Sequence, residues 1–126
     1  MQYIVDTHVL LWRLLAPTKL SKKARATFLK AENEFLIPTM ALLEIQYLKE
    51  IGRIDIDVAA TIKTLQEDGQ YEILSFDAGA LLHVLNLTTT RDPFDRVILG
   101  QALAGSHKIL TKDRWMKRMA PHLVIY

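Results

Sequence analysis

A chain of 126 residues, half of them apolar, has the size and composition of one ordinary domain with a real core, spanning residues 1–126 and leaving little room for a second. Cysteine is absent, which excludes disulfides, thiolate zinc sites and cysteine nucleophiles together, and a formal net charge of +2 selects no class of partner by itself. The four histidines lack metal-binding spacing, no apolar run reaches the roughly 18 residues of a membrane span, and the chain does not open on a basic segment followed by a long apolar one, so a soluble cytoplasmic protein with no membrane partner is expected.

In chain order, Gln2 to Val5 is a short apolar run reaching Asp6 and reads as a buried first strand. Thr7 to Leu15 reads as a helix ended by Pro17, and Ser21 caps another helix that runs to about Ala31. Phe35 to Ile37 is a second strand closed by Pro38. A helix follows from Thr39 to Ile51, with Gly52 as its C-terminal glycine. Ile56 to Glu67 is an amphipathic helix stopped at Asp68-Gly69, Tyr71 to Phe76 a third strand, and Asp77 the cap of a helix from Ala78 to Leu87. After the loop Thr88 to Thr90 comes a helix ending at Gly105. Lys108 to Thr111 is a fourth strand, Asp113 opens a short helix, and Leu123 to Ile125 is a fifth strand. Short apolar strands alternating with helices predict a three-layer α/β/α sandwich around a mostly parallel sheet of about five strands. In such sheets ligands collect beyond the carboxyl ends of the strands, where the strand order reverses.

Charge is segregated. Arg13 to Lys30 contains six basic residues and no acid, a second basic cluster (Lys108, Lys112, Arg114, Lys117, Arg118) surrounds Asp113, and six acids lie between Glu50 and Glu72. Segregation of this kind prepares a face for a polyanion; solvated helix faces are the plainer account.

The stretch Arg91-Asp92-Pro93-Phe94-Asp95-Arg96-Val97-Ile98 concentrates two carboxylates and two guanidinium groups at the start of an apolar helix. Pro93 suits the first helical position, which makes Asp92 the N-cap and Asp95 the third helical residue, a capping box built from aspartates. Glu44 is harder to explain locally. It sits in the apolar helix Thr39 to Ile51, on a face shared with Met40, Tyr47 and Leu48, where a charge is costly unless compensated. Lys49 or Arg53 could pair with it around the helix.

Asp6 and Asp113 stand at the carboxyl ends of strands, and Asp95 begins the helix that leads into the strand before Asp113. With Glu44, and Asp92 beside them, four or five carboxylates could share one cleft. Two carboxylates about 4 Å apart repel by roughly 4 kcal/mol at an effective dielectric near 20, so such a cluster stays ionised only around a cation. Hard oxygen donors without histidine or cysteine indicate Mg²⁺ or Mn²⁺, chemistry suited to phosphodiester hydrolysis, with the surrounding lysines and arginines binding the backbone.

Asp6-Thr7-His8-Val9-Leu10-Leu11-Trp12, the helical Glu44, Asp92-Pro93-Phe94-Asp95-Arg96 and Leu110-Thr111-Lys112-Asp113 together resemble a PIN-domain protein, and among these the VapC-type ribonuclease toxins of toxin–antitoxin pairs. The resemblance spans nearly the whole chain in the right order. It implies a flavodoxin-like α/β/α fold and RNA cleavage by Mg²⁺ or Mn²⁺ held by the acidic quartet Asp6, Glu44, Asp95 and Asp113. Asp95 takes the third place because it directly precedes Arg96-Val97-Ile98, as the family's aspartate does. Asp92 keeps a capping role with an outer contact, Thr7 and Thr111 offer hydroxyls near metal or phosphate, and Arg96 and Lys112 contact phosphate. Homodimers, and inhibition by a small antitoxin covering the cleft, are also implied; the apolar run around Leu48, Ile51, Ile54 and Ile56 is a candidate docking surface, and core packing explains it equally well. The chain departs from the pattern at Ala41, where many relatives have Ser or Thr, and at Thr89 and Thr90, where relatives often have His.

Two other readings compete. A phosphoacceptor receiver domain would need an acidic pair after the first strand and an acceptor after the third, for which Asp77 is the candidate; here Thr7 follows Asp6. An RNA-binding module could keep the fold without catalysis.

Overall fold

The structure is a computed structural model that describes every residue except Thr89 and Arg91, so the expectations attached to those two side chains lie outside the described residues. Five strands, β1 (Gln2–Val5), β2 (Glu34–Pro38), β3 (Tyr71–Leu74), β4 (Lys108–Leu110) and β5 (Val124–Ile125), form one sheet in the order β3-β2-β1-β4-β5, and all four pairings are parallel. The order reverses between β1 and β4. Between the strands run α1 (Thr7–Leu15), α2 (Lys22–Leu29), α3 (Thr39–Glu50), α4 (Val58–Glu67), α5 (Ala78–Val84), α6 (Pro93–Gly105) and α7 (Arg114–Met119).

Strand periodicity explains the layers. Successive side chains point to opposite faces, so an all-apolar strand requires cover on both. Tyr3 and Val5 of β1, Phe35 and Ile37 of β2 and Leu110 of β4 pack into one core with residues of α1 to α4. Ile4, Leu36 and Ile109, the intervening positions, pack into a second core with Ile98, Leu99 and Ala102 of α6 and Met116 of α7. The expected three-layer sandwich is what the chain forms.

Caps set several boundaries as expected: Ser21, Asp77, Asp92 and Asp113 each accept a backbone N–H of the helix they precede, and Asp6, read only as the end of the first strand, caps α1 as well. Gly52, at φ +79°, closes α3, with its own N–H donating to Lys49 O at 3.0 Å and that of Arg53 to Leu48 O at 2.9 Å. Other ends differ from the sequence reading for tertiary reasons. Helix α2 stops at Leu29 because Asn33 Nδ2 donates to Thr27 O and Gln70 Nε2 to Lys30 O, satisfying its last carbonyls from outside. Helix α4 begins at Val58, two residues after the expected Ile56, because Asp57 caps it through Ala60 N at 3.0 Å. Strand β3 ends at Leu74, opposite Pro38, where its neighbour ends. Helix α5 ends at Val84 rather than Leu87, its terminus tightening into three-residue turns at Asn86 and Leu87. The left-handed residue after α6 is Ser106 at φ 51°, not Gly105, whose added Cβ would strike the His107 ring at 2.4 Å. Gly100 is a close approach: a Cβ there would lie 2.3 Å from Val84 Cγ2 and 3.3 Å from Val84 N, so its bare Cα lets α5 pack against α6.

Candidate active site

The carboxyl ends of β1 and β4 lie side by side at the reversal of strand order, and Asp6 N donates to Leu110 O at 3.0 Å across that junction. Asp6 leaves β1 as the N-cap of α1. Its Oδ1 accepts the Thr7 N–H at 2.8 Å, and its Oδ2 accepts the Thr111 hydroxyl at 2.6 Å. Thr111 Oγ1 in turn accepts the Asp113 N–H at 3.0 Å, and Asp113 Oδ1 caps α7 through Met116 N at 2.8 Å. One buried hydroxyl thus ties the first aspartate to the last. Burial pushes the Asp6 carboxyl above its ordinary range, with the Thr111 and Thr7 hydrogen bonds and His8 opposing and Asp113 adding to the push.

Glu44 enters from α3, on the face that also buries Ala41 and Ile45. The structure leaves it 8% exposed with Oε1 unpartnered, so the pairing with Lys49 or Arg53 that would have explained it locally does not satisfy that oxygen. Tyr47, expected to share its buried face, is exposed instead. Burial raises the Glu44 carboxyl and the charges of Asp6 and Asp92 raise it further; the Thr7 hydroxyl beside it offsets part, although neither Thr7 Oγ1 nor Glu44 Oε1 completes a hydrogen bond.

Asp95 reports the whole cluster. Pro93 is the first residue of α6, and Asp92 Oδ1 accepts from Phe94 N at 2.9 Å and Asp95 N at 3.3 Å, the expected N-cap; the reciprocal half of the expected box does not form, because Asp92 N donates to Thr90 Oγ1 at 3.3 Å and leaves the Asp95 carboxylate free of a capping role. The half-buried Asp95 carboxyl is pushed up to about 8, first by burial and then by the charges of Asp6, Asp92, Asp113 and Glu44. Five acids from separated parts of the chain therefore lie in one electrostatic environment. Among the described residues, no three acidic, histidine or cysteine side chains converge in metal-ligand geometry, so the carboxylates share a cleft without being drawn onto one point. The donor set is oxygen only, and Glu44 keeps a buried acceptor with no donor; both fit a hard divalent cation.

The model of the PIN-domain family matches residues 3–121. The chain belongs to the PIN-domain family. Ribonuclease VapC22 of Mycobacterium tuberculosis is 27% identical over 116 residues, covering 90% of this chain and 88% of that one. Among solved structures, VapBC2 from Rickettsia felis bound to a DNA fragment from their promoter superposes with a TM-score of 0.73 at 17% identity, covering 100% of this PIN domain and 98% of that chain. FitAcB from Neisseria gonorrhoeae superposes with a TM-score of 0.67 at 16% identity, covering 100% and 97%. At these identities the superpositions bear on the fold.

The other expected residues of the PIN domain are distributed unevenly. Thr7 and Thr111 lie in the acidic cleft, both buried. Arg96, expected to meet phosphate, instead donates from Nη2 to Val84 O at 3.2 Å and buries its Nε, bracing α5 against α6. Lys112 is exposed, with Nζ 5.9 Å from the centre of the Trp12 ring. Asp77, the acceptor of the receiver-domain reading, is an exposed cap of α5 and is not among the charges acting on Asp95. The sequence reading passed over His8, whose charge opposes the rise of both Asp6 and Glu44. Its place two residues after Asp6, in the first turn of α1, was the available signal.

Proposed function

We propose that this PIN domain is an endoribonuclease that hydrolyses RNA phosphodiester bonds with Mg²⁺ or Mn²⁺, acting in the cytoplasm as the toxin of a type II toxin–antitoxin pair. The observation that carries the proposal is the gathering of five acids at the carboxyl ends of β1 and β4, with Glu44 Oε1 buried and unpartnered among them and Asp6 tied through Thr111 to Asp113. Asp6, Glu44, Asp95 and Asp113 would hold the ion, and Asp92 stands behind Asp95. A divalent ion bound there would orient the phosphate, lower the pKa of an attacking water and offset developing charge. The chain's own contribution is positional: Thr111 fixes the Asp6 rotamer, and Asp92 and Asp113 are fixed by their capping bonds. The name of the VapC22 relative supports the RNA substrate.

The antitoxin and a second copy have separate candidate surfaces. Leu11, Trp12 and Leu15 of α1 face Leu48, Arg53 and Ile54 across a largely apolar groove of about 250 Å³, which suits an amphipathic segment of an antitoxin. Of the four residues expected there, Leu48 and Ile54 line the groove, whereas Ile56 is core and Ile51 is 47% exposed. Leu43, Tyr47 and Ile51, on and just after α3, and Leu81, Leu82 and Leu85, on and just after α5, expose large apolar side chains that would suit homodimer contacts.

The test is cleavage of structured and unstructured RNA by purified protein in Mg²⁺, in Mn²⁺ and in EDTA, with Asp6→Asn alongside. Metal-dependent cleavage lost in the variant is expected; unchanged cleavage by the variant overturns the mechanism. The rival is an RNA-binding module that keeps the fold without catalysis. RNA binding by a wild-type protein that cleaves nothing in either metal would establish that rival. No helix among the described residues is long and apolar enough to cross a membrane.

A further inference from the structure

The two basic stretches of the sequence meet in space. Lys23 of α2, Lys112 of the β4–α7 turn and Lys117 of α7 line one pocket of about 310 Å³ together with Thr111, Asp113 and Ile125. All three lysines are exposed, and Lys112 extends over the Trp12 ring. Asp113 is the one carboxylate among the pocket's described side chains.

Thr111 and Asp113 belong to both chambers. The Thr111 hydroxyl holds Asp6 in the acidic cleft, and Asp113 adds its charge there, so a single turn of chain separates a pocket of ammonium groups from a cluster of carboxylates. A carboxylate cluster repels a phosphate, and a strand presented to it needs compensating charge close by. Lysine supplies a point charge that attracts phosphate oxygens without selecting a base, giving affinity and position rather than sequence preference. We infer that this pocket is a phosphate subsite for the RNA strand on the Asp113 side of the cleft, holding a phosphodiester adjacent to the one presented to the carboxylates. The inference rests on the ribonuclease reading. An acidic peptide is disfavoured as occupant because its own carboxylates would lie against the acid cluster.

The experiment compares Lys23→Gln/Lys112→Gln/Lys117→Gln with Lys30→Gln/Lys49→Gln/Lys63→Gln, which removes equal charge elsewhere; thermal melts establish that both variants fold. Binding of a fluorescent single-stranded RNA is read against salt concentration in an Asp95→Asn background, and cleavage kinetics in the wild-type background with Mg²⁺. At about 0.7 of slope per phosphate contact on a single strand, losing three contacts lowers the dependence of log K on log salt by about two, with affinity falling about tenfold or more. On long RNA, KM rises and kcat holds for the pocket variant, while a dinucleotide too short to reach the pocket is cleaved unchanged. Identical behaviour of the two triple variants overturns the subsite, as does unaltered RNA affinity with lost binding of poly-glutamate. A wild-type protein that cleaves normally in either case leaves the ribonuclease reading standing, whereas a wild-type protein that neither binds nor cleaves RNA overturns that reading and the subsite with it.

Discussion

Replacing Asp95 by asparagine should stabilise the metal-free protein while abolishing its cleavage of RNA. The Asp95 carboxyl is displaced from 3.8 to about 8 by burial and by four neighbouring acids. Across that interval the folded protein holds a proton that the unfolded chain releases, so stability is complete below about pH 4, declines as the pH rises and bottoms out above about pH 8. At 1.36 kcal/mol per tenfold change in proton affinity, the full displacement is worth at most roughly 6 kcal/mol, and about half that once water around a half-buried group is allowed for. The amide has no charge to desolvate. In EDTA at pH 8 the variant should therefore be more stable by about 3 kcal/mol, raising Tm by on the order of 10 °C, while at pH 4 the two proteins should nearly coincide. Asp6 and Glu44 are raised for the same reason, which leaves the variant a shallower slope in the same direction. Urea denaturation from pH 4 to 9 measures both curves. Added Mg²⁺ should close most of that gap, since a ligand at a hundred times its Kd stabilises by about 2.7 kcal/mol and the variant binds it poorly. Wild-type stability that climbs between pH 4 and 8, or a variant no more stable at pH 8 in EDTA, refutes the reasoning.

Glu44→Gln should cost activity by at least a hundredfold, with no loss of Tm in EDTA, because its buried Oε1 has no hydrogen-bond partner among the described residues; a large drop in Tm would show that Glu44 is a structural residue. Thr111→Val removes the donor to Asp6 and the acceptor for Asp113 N, so urea titration should find a loss of about 2–3 kcal/mol together with reduced cleavage. Gly100→Ala forces a methyl into Val84 and should cost about 1–3 kcal/mol by thermal denaturation, part of which Val84→Ala restores in the double variant. If the exposed faces of α3 and α5 join two copies, Tyr47→Glu with Leu82→Glu should convert dimer to monomer in sedimentation velocity without lowering Tm at low concentration.

What the sequence disclosed and what it withheld divide along a physical line. Local chemistry was legible: the parallel order follows from short apolar strands alternating with helices, and the caps at Ser21, Asp77, Asp92 and Asp113 follow from side chains bonding their own next turn. Element ends decided by distant partners were not. Gln70 lies 40 residues from the Lys30 carbonyl it satisfies, and nothing near Lys30 announces it. Within the site the acidic residues were recognisable one by one, yet the Thr111–Asp6 bond joins positions 105 apart and exists only because β4 pairs directly with β1. The bond from Arg96 to the Val84 carbonyl was equally hidden, because a guanidinium beside a carboxylate suggests phosphate and nothing local shows that α5 ends opposite it.

For the aspartates, capping does not compete with the proposed ligation. Asp6, Asp92 and Asp113 cap α1, α6 and α7, and these three helices start at the same edge of the sheet. Each cap engages Oδ1, and an ionised carboxylate has about four acceptor positions, so the bond to the helix fixes the group while leaving capacity for another partner. The positive ends of the helices also offset part of the mutual repulsion, which lets the acids sit in one cleft before any ion arrives. Asp95 and Glu44 do not cap a helix, and the carboxyl pushed up to about 8 and the orphaned oxygen fall on them. The substitution chosen to probe each residue therefore matters. Asparagine caps a helix about as well as aspartate, so Asp→Asn at positions 6, 92 and 113 removes charge and keeps the cap, whereas Asp→Ala removes both and costs about 1 kcal/mol of fold in addition. An activity loss shared by both substitutions, with stability lost only in the alanine series, would assign the two roles to one side chain.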